Sequence, residues 1–91
     1  GGENMEKQRL IVRIETVKNT YEFNKPIFIL PDAPANKGLI FYISSTGSGE
    51  GDYWALLRQS RKATSQEIYD ACKKYGLSDL DYKIVSKLKN R

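Results

Sequence analysis

The sequence predicts an α+β fold: an antiparallel sheet of three or four strands in meander order, covered on one face by a C-terminal pair of α-helices. Three observations lead to this prediction. Alternating apolar residues fill the first half of the chain, a helix-capping motif begins at Thr64, and strand patterns precede helix patterns instead of alternating with them. Helices segregated after strands favour this arrangement over a parallel α/β sheet.

The chain of 91 residues has room for one small domain. Residues 1–4, which precede Met5, are interpreted as a cloning remnant, so the domain is predicted to span residues 5–91. No apolar run approaches the roughly 20 residues that cross a bilayer, and no membrane association is expected. The single cysteine, Cys72, favours a reducing compartment, and the expected location is cytoplasmic.

The N-terminal part is predicted to form a β-hairpin. Residues 9–17 alternate apolar and other side chains with the period of two that is typical of a half-buried strand. Lys18-Asn19 follows as a tight turn, because asparagine tolerates left-handed backbone angles. Residues 21–30 form the second strand, in which Pro26 cannot donate a ladder hydrogen bond and so indicates an edge strand or a bulge.

A loop over residues 31–38 leads to a third strand at residues 39–44. The glycine-rich segment that follows, residues 44–52, is too poor in apolar side chains to contribute to a core. It is expected to be a mobile loop at a hairpin tip or at a junction between a strand and a helix. Its spacing matches no phosphate-binding fingerprint, and Glu50 and Asp52 would repel an anion.

Residues 53–59 allow two interpretations. The aromatic residues that flank the glycine-rich segment symmetrically favour a fourth strand paired with the third. The alternative is a helix capped by Asp52, with Tyr53, Leu56 and Leu57 on one face. We expect the strand.

Two C-terminal helices are expected. Thr64 and Glu67 form a capping box, and Gly76 followed by Leu77 is the usual left-handed helix end. A second helix is predicted over residues 80–88, where apolar residues recur at helical spacing before a basic turn. A strand from Tyr82 to Val85 is the alternative for this segment.

The composition argues against an enzyme. The chain has no histidine, which removes the commonest general base and all histidine-containing metal sites. Cys72 lies on the apolar stripe of its helix and is interpreted as a small core residue. No nucleophile and base can be paired, so neither catalytic residues nor a bound metal or cofactor is expected.

The net charge of +4 comes from the C-terminal half, where basic residues outnumber acidic ones. A basic surface with aromatic groups favours nucleic-acid binding, with bases stacked on aromatic rings. Under this hypothesis Tyr42 and Trp54 are the stacking or interface residues; the alternative, which the frequency of aromatic residues in cores favours, is that both pack in the core. The expected phosphate contacts are Arg58, Arg61, Lys62, Lys83, Lys87 and Lys89.

A protein-interaction domain, such as a small regulator or inhibitor, is the alternative function. Its partner would be another protein, bound by an aromatic sheet surface or by an edge strand. The basic C-terminal half favours the nucleic-acid hypothesis over this one.

Overall fold

A computed structural model of the chain describes residues 7–88; the predicted cloning remnant and Lys89 lie outside them. The fold is a small α+β domain, as the sequence predicted, but the helices are placed differently. Its helices are α1 (Tyr53–Arg58) and α2 (Ser65–Tyr75). Its strands are β1 (Gln8–Glu15), β2 (Pro26–Leu30), β3 (Ile40–Ser44), β4 (Gly47–Gly51), β5 (Ser60–Lys62) and β6 (Tyr82–Ile84).

The strands form one six-stranded sheet in the order β4-β3-β2-β1-β5, with β6 as an additional partner of β1. The first four strands are an antiparallel meander, as predicted, but the sheet has more than the expected three or four strands. β5 pairs antiparallel with residues 13–15 of β1, whereas β6 pairs parallel with residues 8–10. The two short strands therefore share the edge of β1 that faces away from β2.

The connection between β1 and β2 is longer than the predicted two-residue turn. Asn19 does adopt the left-handed conformation, with a φ of 70°, but Asn24 does so as well, with a φ of 64°. β2 consequently begins only at Pro26, which pairs with Ile14. Pro26 occupies the first position of a central strand, where a missing N–H is tolerated, and not an edge strand or a bulge.

The glycine-rich segment is itself a strand, β4, and the predicted loop shrinks to Ser45-Thr46. Gly49 and Gly51 lie opposite the ring of Tyr42, where a Cβ atom on Gly49 would come within 3.1 Å of the Tyr42 hydroxyl. The glycines thus provide a flat surface on which the aromatic ring packs. The composition of this segment indicated a loop because the segment has few apolar side chains of its own. The apolar surface that packs against β4 comes from β3, and the composition of the segment does not reveal this.

The strand prediction for residues 53–59 is wrong, because these residues form α1. The Asp52 carboxylate accepts a hydrogen bond of 3.0 Å from the Ala55 N–H, and so caps the first turn. Tyr53 and Leu56 are then buried on the sheet. The helical alternative, with its Asp52 cap, is confirmed.

The helix predicted after the capping box is confirmed as α2. The Glu67 N–H donates to the Thr64 hydroxyl at 3.1 Å, and the Thr64 N–H donates to the Glu67 carboxylate at 2.9 Å. Gly76 ends the helix in the left-handed conformation, with a φ of 70°.

The second C-terminal helix is absent from the described residues, and the alternative strand prediction is confirmed as β6. Backbone hydrogen bonds from Asp81 and Tyr82 to the Ser78 carbonyl form a turn that directs the chain to the free edge of β1. Leu80, expected on the apolar stripe of a helix, is 80% exposed. Pairing with a distant strand therefore outweighs local helical spacing in this segment.

The sheet is covered on both faces, not on one. The face that carries α2, called the α2 face, is built from Leu10, Val12, Ile14, Phe28, Leu30, Ala63 and Ala71. The opposite face, called the α1 face, is built from Ile11, Ile27, Ile29, Ile40, Tyr53, Leu56 and Leu88. The predicted pair of helices on one face is thus replaced by one helix on each.

Candidate nucleic-acid interface

The α1 face exposes an aromatic and a basic side chain on one side of a short helix. Trp54 is 50% exposed, and Arg58 is exposed one helical turn later. The indole meets the buried ring of Tyr53 edge to face, with centroids 5.3 Å apart and an interplanar angle of 64°. This contact holds one part of the indole against the domain while the remainder is available to a ligand.

Two lysines from the neighbouring strands point to the same face. Lys62 of β5 is directly paired with Arg13, and Lys83 of β6 with Arg9. Paired residues of adjacent strands project from the same face, and the odd-numbered residues of β1 belong to the α1 face. The sheet register therefore places the exposed side chains of Lys62 and Lys83 on the α1 face, with Arg58.

The chain after β6 also packs onto the α1 face. The Leu88 N–H donates a 3.0 Å hydrogen bond to the Tyr53 hydroxyl, and Val85 packs at the edge of the same cluster. Lys87 lies in this segment and is exposed. Four of the predicted phosphate contacts thus belong to one side of the molecule: Arg58, Lys62, Lys83 and Lys87.

Arg13 lies beneath α1 and holds the end of this helix on the sheet, a role that the sequence did not reveal. Its guanidinium donates to the Leu57 carbonyl at 3.1 Å, and to the carbonyl and hydroxyl of Ser60, each at 2.9 Å. Partial burial lowers the Arg13 pKa from its ordinary value, although the guanidinium remains charged at neutral pH. The signal in the sequence was the position of Arg13 in β1, where the alternating pattern places it on the same face as Ile11.

Arg61 is separated from this set, because it is paired with Ile14 and so projects from the α2 face. Its guanidinium forms a bidentate ion pair with Glu67, with N–O distances of 2.7 and 2.8 Å. Hydrogen bonds from Arg61, and then from the Thr64 backbone, lower the pKa of Glu67 to about 2. The same pair raises the Arg61 pKa. Arg61 is thus engaged in anchoring the first turn of α2.

Tyr42, the second predicted stacking residue, lies on the α1 face but is half-buried. Its ring packs across Gly49 and Gly51 of β4. Less of this ring than of the Trp54 indole is therefore accessible to a base. Trp54 is the more accessible of the two.

The acidic groups near the α1 face are already engaged. Asp52 caps α1, and Glu15 is 5% exposed and accepts hydrogen bonds from the Val17 N–H and the Gln59 amide. The two ion pairs formed among residues 7–88 involve only Arg9 and Arg61 as cations. Within this range, the four cations of the α1 face have no acidic partner.

A polar cavity of about 490 Å³ lies at the start of β1, next to Lys83. Lys7 and Arg9 also line it, together with Asp32. Arg9 binds Asp32 through its guanidinium and its backbone N–H, which lowers the Asp32 pKa. The positive surface therefore extends from β6 to the start of β1. Lys7 is a further candidate for a phosphate contact that the sequence did not indicate.

Cys72 is half-buried at the edge of the α2 face, where desolvation raises the pKa of its thiol. No group of three or more His, Cys, Asp or Glu side chains within residues 7–88 is arranged to hold a metal ion. No helix in the described part of the chain is long and apolar enough to span a membrane. The positive α1 face is accordingly the candidate site.

Comparisons with known proteins add no assignment to this surface. No family model matches the sequence, and neither the curated proteins nor the solved structures contain a significant match to the chain.

Proposed function

We propose that the protein is a non-enzymatic module that binds single-stranded nucleic acid through its α1 face. The observation that carries this proposal is the half-exposed Trp54 one turn before Arg58, on the face to which Lys62 and Lys83 also project. An exposed indole beside cations without acidic partners is the combination that binds a base and its phosphates together.

The chemistry divides between the two kinds of side chain. A base stacked on Trp54 contributes about 1–3 kcal/mol by alanine substitution in comparable sites. The cations contact the phosphate backbone and release its counterions, so they govern the salt dependence. The proposed phosphate contacts are Arg58, Lys62, Lys83 and Lys87. Lys89 is kept among them on the basis of the sequence. Arg61 is omitted because Glu67 occupies its guanidinium.

A single strand suits this face better than a duplex. The indole must contact the face of a base, which is available in single strands and hidden by stacking in a duplex. α1 has only six residues and lies against the sheet, so it is not a recognition helix that enters a major groove. The interface is expected to recognise backbone and base stacking with little dependence on sequence.

The test uses Trp54 as a reporter, because it is the only tryptophan in the chain. Oligo(dT), oligo(rU) and a mixed-sequence duplex are titrated into the protein at low and at physiological salt. Single strands are expected to quench the Trp54 fluorescence and to bind less tightly as salt increases. The absence of binding to any oligonucleotide at low salt would overturn the proposal.

Variants locate the site. Trp54→Ala, followed by the anisotropy of a labelled oligonucleotide, is expected to weaken single-strand binding roughly tenfold. Lys62→Gln should reduce the slope of log affinity against log salt by about 0.7, the value for one phosphate contact in a single strand. Lys74→Gln is the matched control, since it removes the same charge from an exposed position of α2. Equal effects of the two lysine substitutions would contradict the assigned face.

The alternative function, binding of another protein, remains a second proposal with two forms. If an aromatic surface binds the partner, the exposed Trp54 is its centre, and oligonucleotides should then fail to quench its fluorescence. If an edge strand binds the partner, the candidate strand is β6, whose outer edge is unpaired among the described residues. Substitutions in α1 should then leave binding of the partner unchanged.

A further inference from the structure

An apolar groove of about 560 Å³ runs between α2 and β6 on the α2 face, away from the proposed nucleic-acid site. One side of α2 forms its first wall through Ile68, Tyr69 and Cys72. Leu77 closes the end near the helix terminus, and Ile84 of β6 forms the opposite wall. We name this feature the α2–β6 groove. A smaller cleft of about 210 Å³ that is also lined by Ile68 and Ile84 continues it toward β5.

The groove lies beside an unpaired strand edge. Hydrogen bonds from the Gln8 N–H to the Asp81 carbonyl and from the Val85 N–H to the Leu10 carbonyl fix the phase of the β1–β6 ladder. In a parallel pair with this phase, the backbone N–H and carbonyl of Ile84 and the carbonyl of Tyr82 point away from β1. These groups present a template to which one further strand can be added.

The side chains of β6 specify what such a strand would carry. Tyr82 and Ile84 are paired with Gln8 and Leu10 and so face the α2 side, whereas Lys83 faces the opposite side. Residues of an added strand that lie beside Tyr82 and Ile84 would enter the groove and should be apolar. The residue between them would lie beside the Lys83 ammonium and should be acidic.

We propose that the α2–β6 groove binds an extended segment of a partner protein with an apolar, acidic, apolar pattern, added as a strand to the free edge of β6. Backbone hydrogen bonds to Ile84 and Tyr82 supply general affinity, and the two apolar side chains and Lys83 supply specificity. This inference rests on the edge-strand form of the alternative function and does not depend on nucleic-acid binding. The backbone edge and the groove are separate from Trp54, whereas Lys83 belongs to both proposed sites.

The test uses fluorescein-labelled peptides centred on Val-Glu-Val or on Val-Lys-Val, with fluorescence polarisation as the measurement. The glutamate peptide is expected to bind roughly fivefold more tightly to the natural protein, as for one partly exposed charge pair. Lys83→Glu should reverse this preference. Lys74→Glu, which introduces the same charge change on α2 outside the groove, should leave the preference unchanged.

Two further measurements test the mode of binding. N-methylation of the central amides should weaken binding by roughly tenfold or more, because it removes backbone donors. Amide exchange at Ile84, which is unpaired in the free protein, should slow when the glutamate peptide is bound, while the amide of Trp54 is unaffected. Unchanged amide exchange at Ile84, or changes in exchange that are confined to α1, would overturn the proposal.

Other occupants give distinct results. If a second copy of the chain fills the groove, sedimentation will show a dimer, and Ile84 exchange will slow with protein concentration in the absence of peptide. No binding of either peptide at about millimolar protein, the limit of measurable affinity here, would also overturn the proposal. Neither result would affect the oligonucleotide titrations, so failure of one proposal is distinguishable from failure of the other.

Discussion

The two faces of the sheet differ in how their helices are held in place. α2 is an eleven-residue helix that carries its own N-terminal and C-terminal caps, and its only fully buried residue is the small Ala71. α1 has six residues and buries the much larger Tyr53 and Leu56. Both helices have an N-terminal cap, but the longer one carries local signals at both ends and little buried surface, whereas the shorter one depends mainly on packing on the sheet.

The charged groups differ in the same way. On the α2 face, Arg61 is used internally through its ion pair with Glu67. On the α1 face, the arginine that stabilises the helix is Arg13, which lies beneath α1 and donates to the Leu57 and Ser60 carbonyls at its end. The outer cations of this face therefore have no acidic partners among the described residues. A face that is stabilised by packing and by one inward-facing arginine can keep its outer charges for a ligand.

The largest expected effect tests the packing of the two helices. Leu56→Ala removes a buried side chain from the α1 face and should lower the free energy of unfolding by about 2–5 kcal/mol. Ile68→Ala on α2 should cost only about 1–2 kcal/mol, since Ile68 is half-buried at the edge of its cluster. Urea denaturation followed by far-UV circular dichroism measures both. Equal losses would remove the distinction between the faces.

A smaller loss is expected from Arg13→Lys. Lysine cannot reproduce the guanidinium fork, so at least one acceptor among the Leu57 carbonyl and the Ser60 groups loses its donor. The expected decrease in unfolding free energy is about 1–3 kcal/mol. Arg58→Lys, a control at an exposed position, should stay within about 0.5 kcal/mol. A stability change that is the same for both would show that Arg13 does not anchor α1.

The larger acid sensitivity is expected on the α2 face, although the pKa of Asp32 beside Arg9 is lowered as well. The Glu67 carboxyl has a folded pKa of about 2 against an ordinary value of 4.5. Because the folded value is lowered, its stabilising contribution is complete above pH 4.5 and is lost as the pH falls toward 2. Glu67→Gln should therefore reduce stability by less than about 1 kcal/mol at neutral pH, since the pair is partly exposed.

NMR titration of the Glu67 carboxyl carbon checks the cause of this acid sensitivity. Arg61→Gln should move the midpoint upward from about 2 toward the ordinary value of 4.5. Thr64→Ala should move it less, because this substitution keeps Arg61 and the Thr64 backbone N–H and removes only the hydroxyl, which makes the smallest contribution. If Arg61→Gln leaves the midpoint unchanged, the ion pair is not what lowers the pKa.

The smallest effect is expected at β4. Gly49→Ala places a methyl group about 3.1 Å from the Tyr42 hydroxyl, so the end of the ring must shift, while the lower entropy of the unfolded chain offsets part of the cost. The net change in stability should be within about 1 kcal/mol, accompanied by changed NMR shifts of the Tyr42 ring. Ser48→Ala, on the opposite face of the same strand, should leave these ring shifts unchanged.

Local signals account for what could be predicted. The Thr64 capping box and the Gly76 helix end lie within the segment that they define, so α2 follows directly from the sequence. β6 follows less directly, since residues 80–88 have helical spacing and Tyr82–Ile84 become a strand only because β1 presents a free edge far away in the chain. The local signals for α1 were the Asp52 cap and the apolar face of Tyr53, Leu56 and Leu57, but the symmetric flanking aromatics favoured the wrong alternative.

The candidate site shows the same limit. Composition identified the basic residues, but strand register decides which face each one occupies. Arg61 and Lys62 are adjacent in sequence and project from opposite faces because their partners in β1, Ile14 and Arg13, do so. Predicting this difference would have required the pairing of β5 with β1, which no local pattern in residues 60–62 indicates.

The shared edge of β1 has a consequence for the order in which the chain folds. One side of β1 can pair with β2 as soon as the adjacent hairpin closes, whereas the other side must wait for β5 and finally for β6, near the far end of the described chain. Closing so long a loop is entropically costly and slows folding. β1, which precedes the other described strands in the chain, is therefore the last of them to be fully paired, and its edge is where misassembly between chains would begin while it is still unpaired.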